Sequence, residues 1–323
     1  MMAALAAALL ALAPVARGMQ NESGTAAAQF LTMGAGARAL GMGEAYTAVA
    51  DGADAAYWNP GGLAVMESPE VVYSRSELGT GLHEDFAAAA APARWLRGTV
   101  ALAVTRLSQD GMTLVDNQNN ADNAHPGSFA PYSAVYALAY GARLSGEESG
   151  RLARDPVLSA GLAVKLIKED LGTRQASAFA LDAGARLRPQ TMPELILAAA
   201  LRNVGSRERF IADAQPLPAE LAGSAAYEVR PGRWRIITAL EADAPYAGNP
   251  YGKLGCEASR LIGGDVWAAL RLGYSSRMAP DLGMLAGLSA GVGLNIGHFS
   301  FDGAFQEAGV LGESFRLGVG WRF

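Results

Sequence analysis

Cysteine and histidine are nearly absent from this 323-residue chain: it holds one cysteine, Cys256, and three histidines, His83, His125 and His298. One cysteine excludes an internal disulfide framework and a cysteine metal cluster. The histidines lie far apart with no i,i+4 pair, so neither a metal nor a cofactor is expected. Charge is scarce as well. Only 18% of residues are charged, the net charge is −5, and no basic patch with interleaved aromatics occurs, which argues against a nucleic-acid partner. What the chain has instead is hydrophobicity and glycine. Half its residues are hydrophobic and 39 are glycine, a profile unlike a cytosolic enzyme and compatible with a sheet-rich membrane protein.

Residues 1–18, MMAALAAALLALAPVARG, are apolar, rich in alanine and leucine, and shorter than a spanning helix. They read as a secretory signal peptide, although no Lys or Arg precedes Arg17. Residues 19–69 form a lead-in and a small folded insert. From 70 to 323 the dominant signal is period-two alternation in segments of about ten residues, the spacing of membrane-spanning strands. Phe315, Leu317, Val319, Trp321 and Phe323 share one face, while Ser314, Arg316, Gly318, Gly320 and Arg322 share the other. Phe179, Leu181, Ala183, Ala185 and Leu187 oppose Ala180, Asp182, Gly184, Arg186 and Arg188 in the same way. An ionic face is costly in a dry core but normal where a strand lines a polar lumen, so a barrel is favoured over a sandwich.

Counting such segments, from 70–76 to 313–323, predicts an all-β fold: a transmembrane antiparallel β-barrel of about fourteen strands. The connections alternate in length as such barrels require. Those at 94–96, 188–192, 231–232 and near Gly297 are short, whereas 108–129, 203–216 and 243–250 are long and polar. The connection 145–155 departs from the rule, being long on the short side. The terminal Phe323, closing the alternating row Phe315, Leu317, Val319 and Trp321, resembles the signal by which the outer-membrane assembly machinery recognises its substrates. That machinery and outer-membrane lipid are therefore expected partners, and the expected location is the outer membrane.

Residues 34–63, GAGARALGMGEAYTAVADGADAAYWNPGGL, neither alternate nor form an amphipathic helix, and they end in a dense turn signal at Trp58-Asn59-Pro60-Gly61-Gly62. From Gly36-Ala37-Arg38 through Gly41-Met42-Gly43 and Ala48-Val49-Ala50-Asp51 to Asn59-Pro60-Gly61-Gly62-Leu63, the block resembles the N-terminal signature of the PorV/PorQ family of outer-membrane proteins, relatives of the FadL-type transporters of hydrophobic compounds. Gly61, where an alanine is usual, and Glu44, where a small residue is usual, depart from it. The resemblance implies fourteen strands and an N-terminal segment folded into the barrel as a plug. Gly36, Arg38, Gly41, Gly43, Asp51, Trp58, Asn59, Pro60, Gly62 and Leu63 would carry that plug. It also implies an association with type IX secretion, in which secreted proteins with C-terminal sorting domains are bound, with the 108–129 loop as the cargo surface. The alternative is FadL-like transport of a hydrophobic small molecule, for which the Asn59-Pro60 turn would act as a hinge beside Phe30, Met33 and Met42.

An enzyme is not expected and no catalytic residue is assigned. Gly287-Leu288-Ser289-Ala290-Gly291 matches the G-x-S-x-G nucleophile pattern, but it sits in an alternating segment with only His298 downstream, so Ser289 reads as a small lumen-facing residue. Gly34-x-Gly36 and Gly41-x-Gly43 do not continue as a dinucleotide fingerprint. Asp51, Asp54 and Asn59, set among glycines, read as turn or cap residues rather than cation ligands. Arg38 is the ion of interest. A plug must dock against a lumen that carries Asp182, Glu241, Glu257 and Asp302, and the guanidinium fork suits a pairing with one of them. Most inward positions are Gly, Ala or Ser, which leaves room for the plug and predicts a closed barrel.

Overall fold

The computed structural model describes residues 26–79, 81–113, 128–145, 157–172, 174–209, 214–283, 285–307 and 313–323. The stretch read as a signal peptide and most of the 108–129 and 145–155 connections lie outside the described residues. Fourteen antiparallel strands close into one barrel. They are β1 (Glu70–Glu77), β2 (Leu82–Ala93), β3 (Gly98–Gln109), β4 (Tyr132–Ser145), β5 (Val157–Asp170), β6 (Gln175–Arg188) and β7 (Leu195–Gly205). The second half comprises β8 (Glu220–Val229), β9 (Trp234–Pro245), β10 (Tyr251–Gly263), β11 (Val266–Ser275), β12 (Leu288–Ile296), β13 (Phe299–Glu307) and β14 (Glu313–Arg322).

Each strand pairs with its neighbour in sequence, and β14 returns to β1 in a ladder from Glu70↔Arg322 to Glu77↔Phe315. Closure matters because an open sheet edge would leave backbone donors and acceptors without partners in hydrocarbon. β12 begins at Leu288, so the Gly287–Gly291 stretch read as lying in one alternating segment has its first glycine outside the strand. Gly287 takes φ 99° and turns the chain there, and Ala286 is buried in that turn.

The outer face is apolar. Leu102, Leu162, Phe179, Leu270, Leu272 and Leu317 each expose more than half of their surface. Such a belt is unfavourable in water and suits bilayer hydrocarbon. At the short-turn end it is rimmed by Trp95, Trp234, Phe299, Trp321 and Phe323, with Phe299 and Trp321 stacked at 6.0 Å, the girdle expected at a membrane interface. Among the described residues no helix is long and apolar enough to cross a membrane.

Residues 26–69 fill the lumen. A single 3₁₀ turn, Gln29–Thr32, lies toward the long-loop end, where Phe30 and Leu31 pack with Leu107, Val135, Ile167 and Leu217. The chain then forms α1 (Ala37–Gly41), which packs against β11–β14, and α2 (Ala55–Trp58). A second 3₁₀ turn, Pro60–Val65, packs against β3–β6 on the other wall before the chain enters β1 at the short-turn end. The insert therefore bridges the barrel from wall to wall. Tyr46, Asn59 and Leu63 have no exposed surface, and Trp58 is buried to 2%.

Candidate functional site

The plug is seated backbone to backbone on two patches of glycine. On one wall Gly141, Gly161 and Gly184 stand in register across β4, β5 and β6. A Cβ at Gly141 would lie 2.3 Å from the Pro60 carbonyl oxygen, at Gly161 2.3 Å from the Pro60 carbonyl carbon, and at Gly184 2.0 Å from Asn59 Oδ1. On the opposite wall Gly255 and Gly273 are paired across β10 and β11, and their missing side chains admit Met42 and Gly43. A Cβ at Gly273 would lie 1.9 Å from the Gly43 nitrogen, and Gly291 of β12 touches Gly41 in the same manner. No side chain fits between backbones at such separations, so glycine is required on the wall for close approach rather than for flexibility.

Asn59 knots the first contact. Its Nδ2 donates to Thr47 O (3.0 Å) and to Ala185 O of the wall (3.2 Å), while its Oδ1 accepts the Gly61 N–H (3.0 Å). The Asn59-Pro60 turn, read in sequence as a hinge, is thereby a clamped and fully buried anchor. At the second contact Gly43 adopts φ 61°, and its N–H donates to Ser289 Oγ (3.0 Å). Ser289 sits within the regular strand β12 and holds the plug; its hydroxyl partner is a backbone amide, not a general base.

Between the seats runs a chain of charges, Glu257 and Arg271 buried and Arg38, Asp51 and Asp302 partly buried. Arg38 forks onto Glu257, Nε to Oε2 at 2.8 Å and a terminal nitrogen to Oε1 at 2.9 Å, and also reaches Asp51 Oδ1 (2.9 Å) and Tyr46 Oη (3.1 Å). Glu257 is shared with Arg271 (2.7 Å), which in turn holds Asp302 (2.7 Å). Of the four carboxylates considered from sequence, Glu257 is the one that Arg38 meets. Glu241 serves the plug differently, accepting the Thr47 N–H at 2.8 Å. Asp182 stays in the wall, paired with Lys165 at 2.5 Å and accepting the Asn203 N–H at 2.7 Å.

That last contact marks a feature sequence patterning does not reveal. The β6–β7 register shifts between Leu181 and Ala183, and Asn203 takes φ 59°. The resulting bulge turns two consecutive residues, Arg202 and Asn203, toward the lumen. Arg202 then binds Glu220 (2.5 Å), Asp243 (2.9 Å) and the Trp58 carbonyl (3.2 Å). Arg202 and Lys253 each lie 5.5 Å from the Trp58 ring centroid, and the indole N–H donates to Ala35 O (2.9 Å). Cations against a buried indole gain from its quadrupole where water is excluded. The wall glycines and this basic cluster were missed because neither is a motif in sequence. The one signal was glycine recurring at inward positions of neighbouring strands.

The remaining motif residues fall into place around these contacts. Gly36 precedes α1 with φ 86°, Pro60 opens the second 3₁₀ turn, a Cβ on Gly62 would meet Ala50 O at 2.3 Å, and Leu63 is fully buried. Phe315, Leu317, Val319, Trp321 and Phe323 lie apart from the plug on the outer surface.

Two plug acids respond oppositely to burial. For Asp51 burial acts upward, but Arg38 and Arg235 outweigh it and hold the carboxyl below its usual range. For Asp54 burial, reinforced by Glu70, pushes the carboxyl up to about 7; its Oδ2 accepts from Tyr46 Oη (2.9 Å) and its Oδ1 has no hydrogen-bond partner. The folded chain thus holds this proton more tightly than the unfolded one, whose carboxyl titrates at 3.8. The contribution of Asp54 to stability is fully present below 3.8 and is lost as pH rises through about 7. Asp54→Asn is expected to flatten the decline of unfolding temperature across that window and to raise it at about pH 8. Parallel pH profiles for the variant and wild type would contradict this.

No protein-family model and no curated protein matches the chain. Its three-dimensional likeness is to solved outer-membrane barrels of the FadL type. The Pseudomonas putida toluene transporter TodX superposes with a TM-score of 0.56 at 10% identity, covering 90% of this chain and 98% of that one. The Ralstonia pickettii toluene transporter TbuX gives 0.52 at 11% identity over 90% and 98%, and a Pseudomonas aeruginosa FadL homologue gives 0.51 at 10% over 94% and 99%. The shared property is the fold, a closed fourteen-stranded antiparallel barrel.

Proposed function

We propose that this chain is an outer-membrane barrel that passes small hydrophobic compounds across the membrane, and that it has no enzymatic role. The observation that carries the reading is the way the lumen is closed. An N-terminal segment blocks it from wall to wall, and toward the long-loop end that segment presents Phe30, Leu31 and the partly buried Met33 among Leu107, Val135, Ile167 and Leu217. An apolar cluster above a plug suits capture of an apolar solute, whereas a general ion pore needs a continuous polar path. Solved barrels of the same fold include those described as toluene transporters, which supports this reading over the secretion-associated one. The alternating lengths of the connections favour the long-loop end outside and the short-turn end in the periplasm. Export by residues 1–18 and insertion by the assembly machinery complete the proposal.

The test is uptake of radiolabelled toluene and of a labelled long-chain fatty acid by vesicles containing the barrel. Saturable uptake of either, reduced several-fold by Phe30→Asp, is expected. Uptake no faster than in barrel-free vesicles would overturn the reading. A second reading, a PorV/PorQ-type partner of type IX secretion, is favoured by the 36–63 signature alone. Affinity capture from the native outer membrane decides it: secreted proteins sharing a C-terminal domain would support it, and their absence beside a bound apolar molecule would remove it.

A further inference from the structure

Beyond the apolar cluster of Phe30 and Leu31, two carboxylates meet at the long-loop mouth of the lumen. Glu169 of β5 lies one inward position past Ile167, and its β4 partner Ser133 lies one past Val135. The Ser133 hydroxyl donates to Glu169 Oε1 at 2.7 Å. Glu208 arrives from the 203–216 connection. Gly205 pairs with Ala180 of β6, and Ser206 is bonded to Phe179 through both its amide (2.9 Å) and its hydroxyl (3.0 Å). Glu208 and Arg209 then pack against β6, whose Ala176 is the register partner of Glu169. A two-residue ladder with Ala214 and Gln215 holds Glu208 in place.

Glu208 is only 1% exposed, and neither of its carboxylate oxygens has a hydrogen-bond partner among the described residues. A buried carboxylate without donors loses its hydration uncompensated, and a second carboxylate beside it raises the cost. Both effects act on its titration: burial first, and then Glu169, push the Glu208 carboxyl up to about 8. A proton shared between the two acids satisfies one Glu208 oxygen and leaves the other buried and bare. A divalent cation satisfies both, because calcium takes a carboxylate through one oxygen or two and fills its shell with carbonyl oxygens and water.

We infer that Glu169 and Glu208 form a binding site for a divalent cation of the calcium type at the long-loop mouth. Glu208 supplies both of its oxygens and Glu169 its Oε2, while Ser133 fixes the Glu169 carboxylate through Oε1. Two carboxylates with water completing the shell give an affinity in the range of external calcium modules, Kd about 10⁻⁴–10⁻³ M. The ion fastens the 203–216 connection to the wall above the apolar cluster. The same connection leads to Pro216, whose carbonyl accepts the Ala27 N–H at 2.9 Å, and on to Leu217 inside the cluster. A filled site therefore stiffens the mouth over Phe30 and Leu31. The inference stands whichever solute crosses the barrel.

The test is isothermal titration of the purified full-length barrel, freed of metal with a chelator, with calcium chloride. A neutral detergent and about 0.15 M KCl keep surface charges screened. One ion per barrel is expected to bind, with Kd about 10⁻⁴–10⁻³ M. Glu208→Gln and Glu169→Gln are each expected to weaken binding by at least about tenfold. Glu67→Gln, at an exposed acid just before β1 at the opposite end, is expected to leave it unchanged. Both site variants keep the shape of the side chain and remove a repulsion, and heat-modifiable electrophoretic mobility checks that they fold. Calcium at about 10 mM is expected to raise the unfolding temperature of the wild type but not of Glu208→Gln. No calcium uptake by the wild type at that concentration would overturn the inference and leave a shared proton between the acids. Undiminished uptake by Glu208→Gln would overturn it too, because the ion would then lie elsewhere.

Discussion

Replacing Gly161 with leucine is expected to unseat the plug and convert a closed barrel into a conducting one. The position has no room for even one added carbon, since a Cβ would stand 2.3 Å from the Pro60 carbonyl carbon, 2.4 Å from its oxygen and 2.7 Å from the Gly61 nitrogen. These are backbone atoms, so no side-chain rotation relieves the clash. The wall cannot retreat, because Gly161 is paired with Gly141 on one side and Gly184 on the other within a closed ladder. The turn at Asn59–Gly61 must move instead, which breaks the Asn59 bonds to Thr47 and Ala185. Overpacking of this kind costs about 1–3 kcal/mol where neighbours can shift and more where they cannot. In planar bilayers the wild-type protein is expected to be silent and Gly161→Leu to show step-like ionic conductance. Gly263→Ala, at a site with nothing within 4 Å, serves as the silent control. A silent Gly161→Leu barrel that remains folded would contradict the seat.

Arg38→Ala is expected to loosen the plug without unfolding the barrel. Removing one partner of a buried ion pair costs roughly 3–5 kcal/mol when the other is left uncompensated. Here Glu257 retains Arg271 at 2.7 Å, which places the loss at the lower end, about 3 kcal/mol. The plug loses its bond to the β10 wall and the tie from α1 to Asp51 together. A lower unfolding temperature and a faster leak of small solutes are expected. Arg38→Lys is expected to recover only part of the stability, because a single ammonium cannot reproduce the two-nitrogen fork onto Glu257. Unchanged heat stability and unchanged permeability in Arg38→Ala would show that Glu257 does not hold the plug.

Much of the wall was legible in the amino-acid order. A strand that faces lipid on one side and a lumen on the other writes its orientation as a period of two, and the alternation of the C-terminal segment already separates Leu317 and Trp321 from Arg316 and Gly320. The register Glu70↔Arg322 that closes β14 on β1 was not legible, since it joins residues at opposite ends of the chain. The plug was legible as an exception to the alternation and through its resemblance. Its anchors were not, because each depends on which inward residues of separate strands come to the same height. Arg38 called for a carboxylate; nothing in the order of residues selected Glu257 over Asp182, Glu241 or Asp302. The bulge at Asn203 interrupts the alternation by one residue, too small a change to distinguish from an irregular boundary.

Sequence by itself determined the type of wall, the approximate number of strands and which side chains meet lipid, because these follow from local alternation along each segment. Only the tertiary structure decided how the lumen is closed. Gly141, Gly161 and Gly184 become a seat, and Arg38 and Glu257 a fork between plug and wall, only when the closed hydrogen-bond ladder sets the stagger of their strands. The physical reason is that a strand's facing is encoded by its own residues, whereas the height at which it meets the plug is set by the strands on either side.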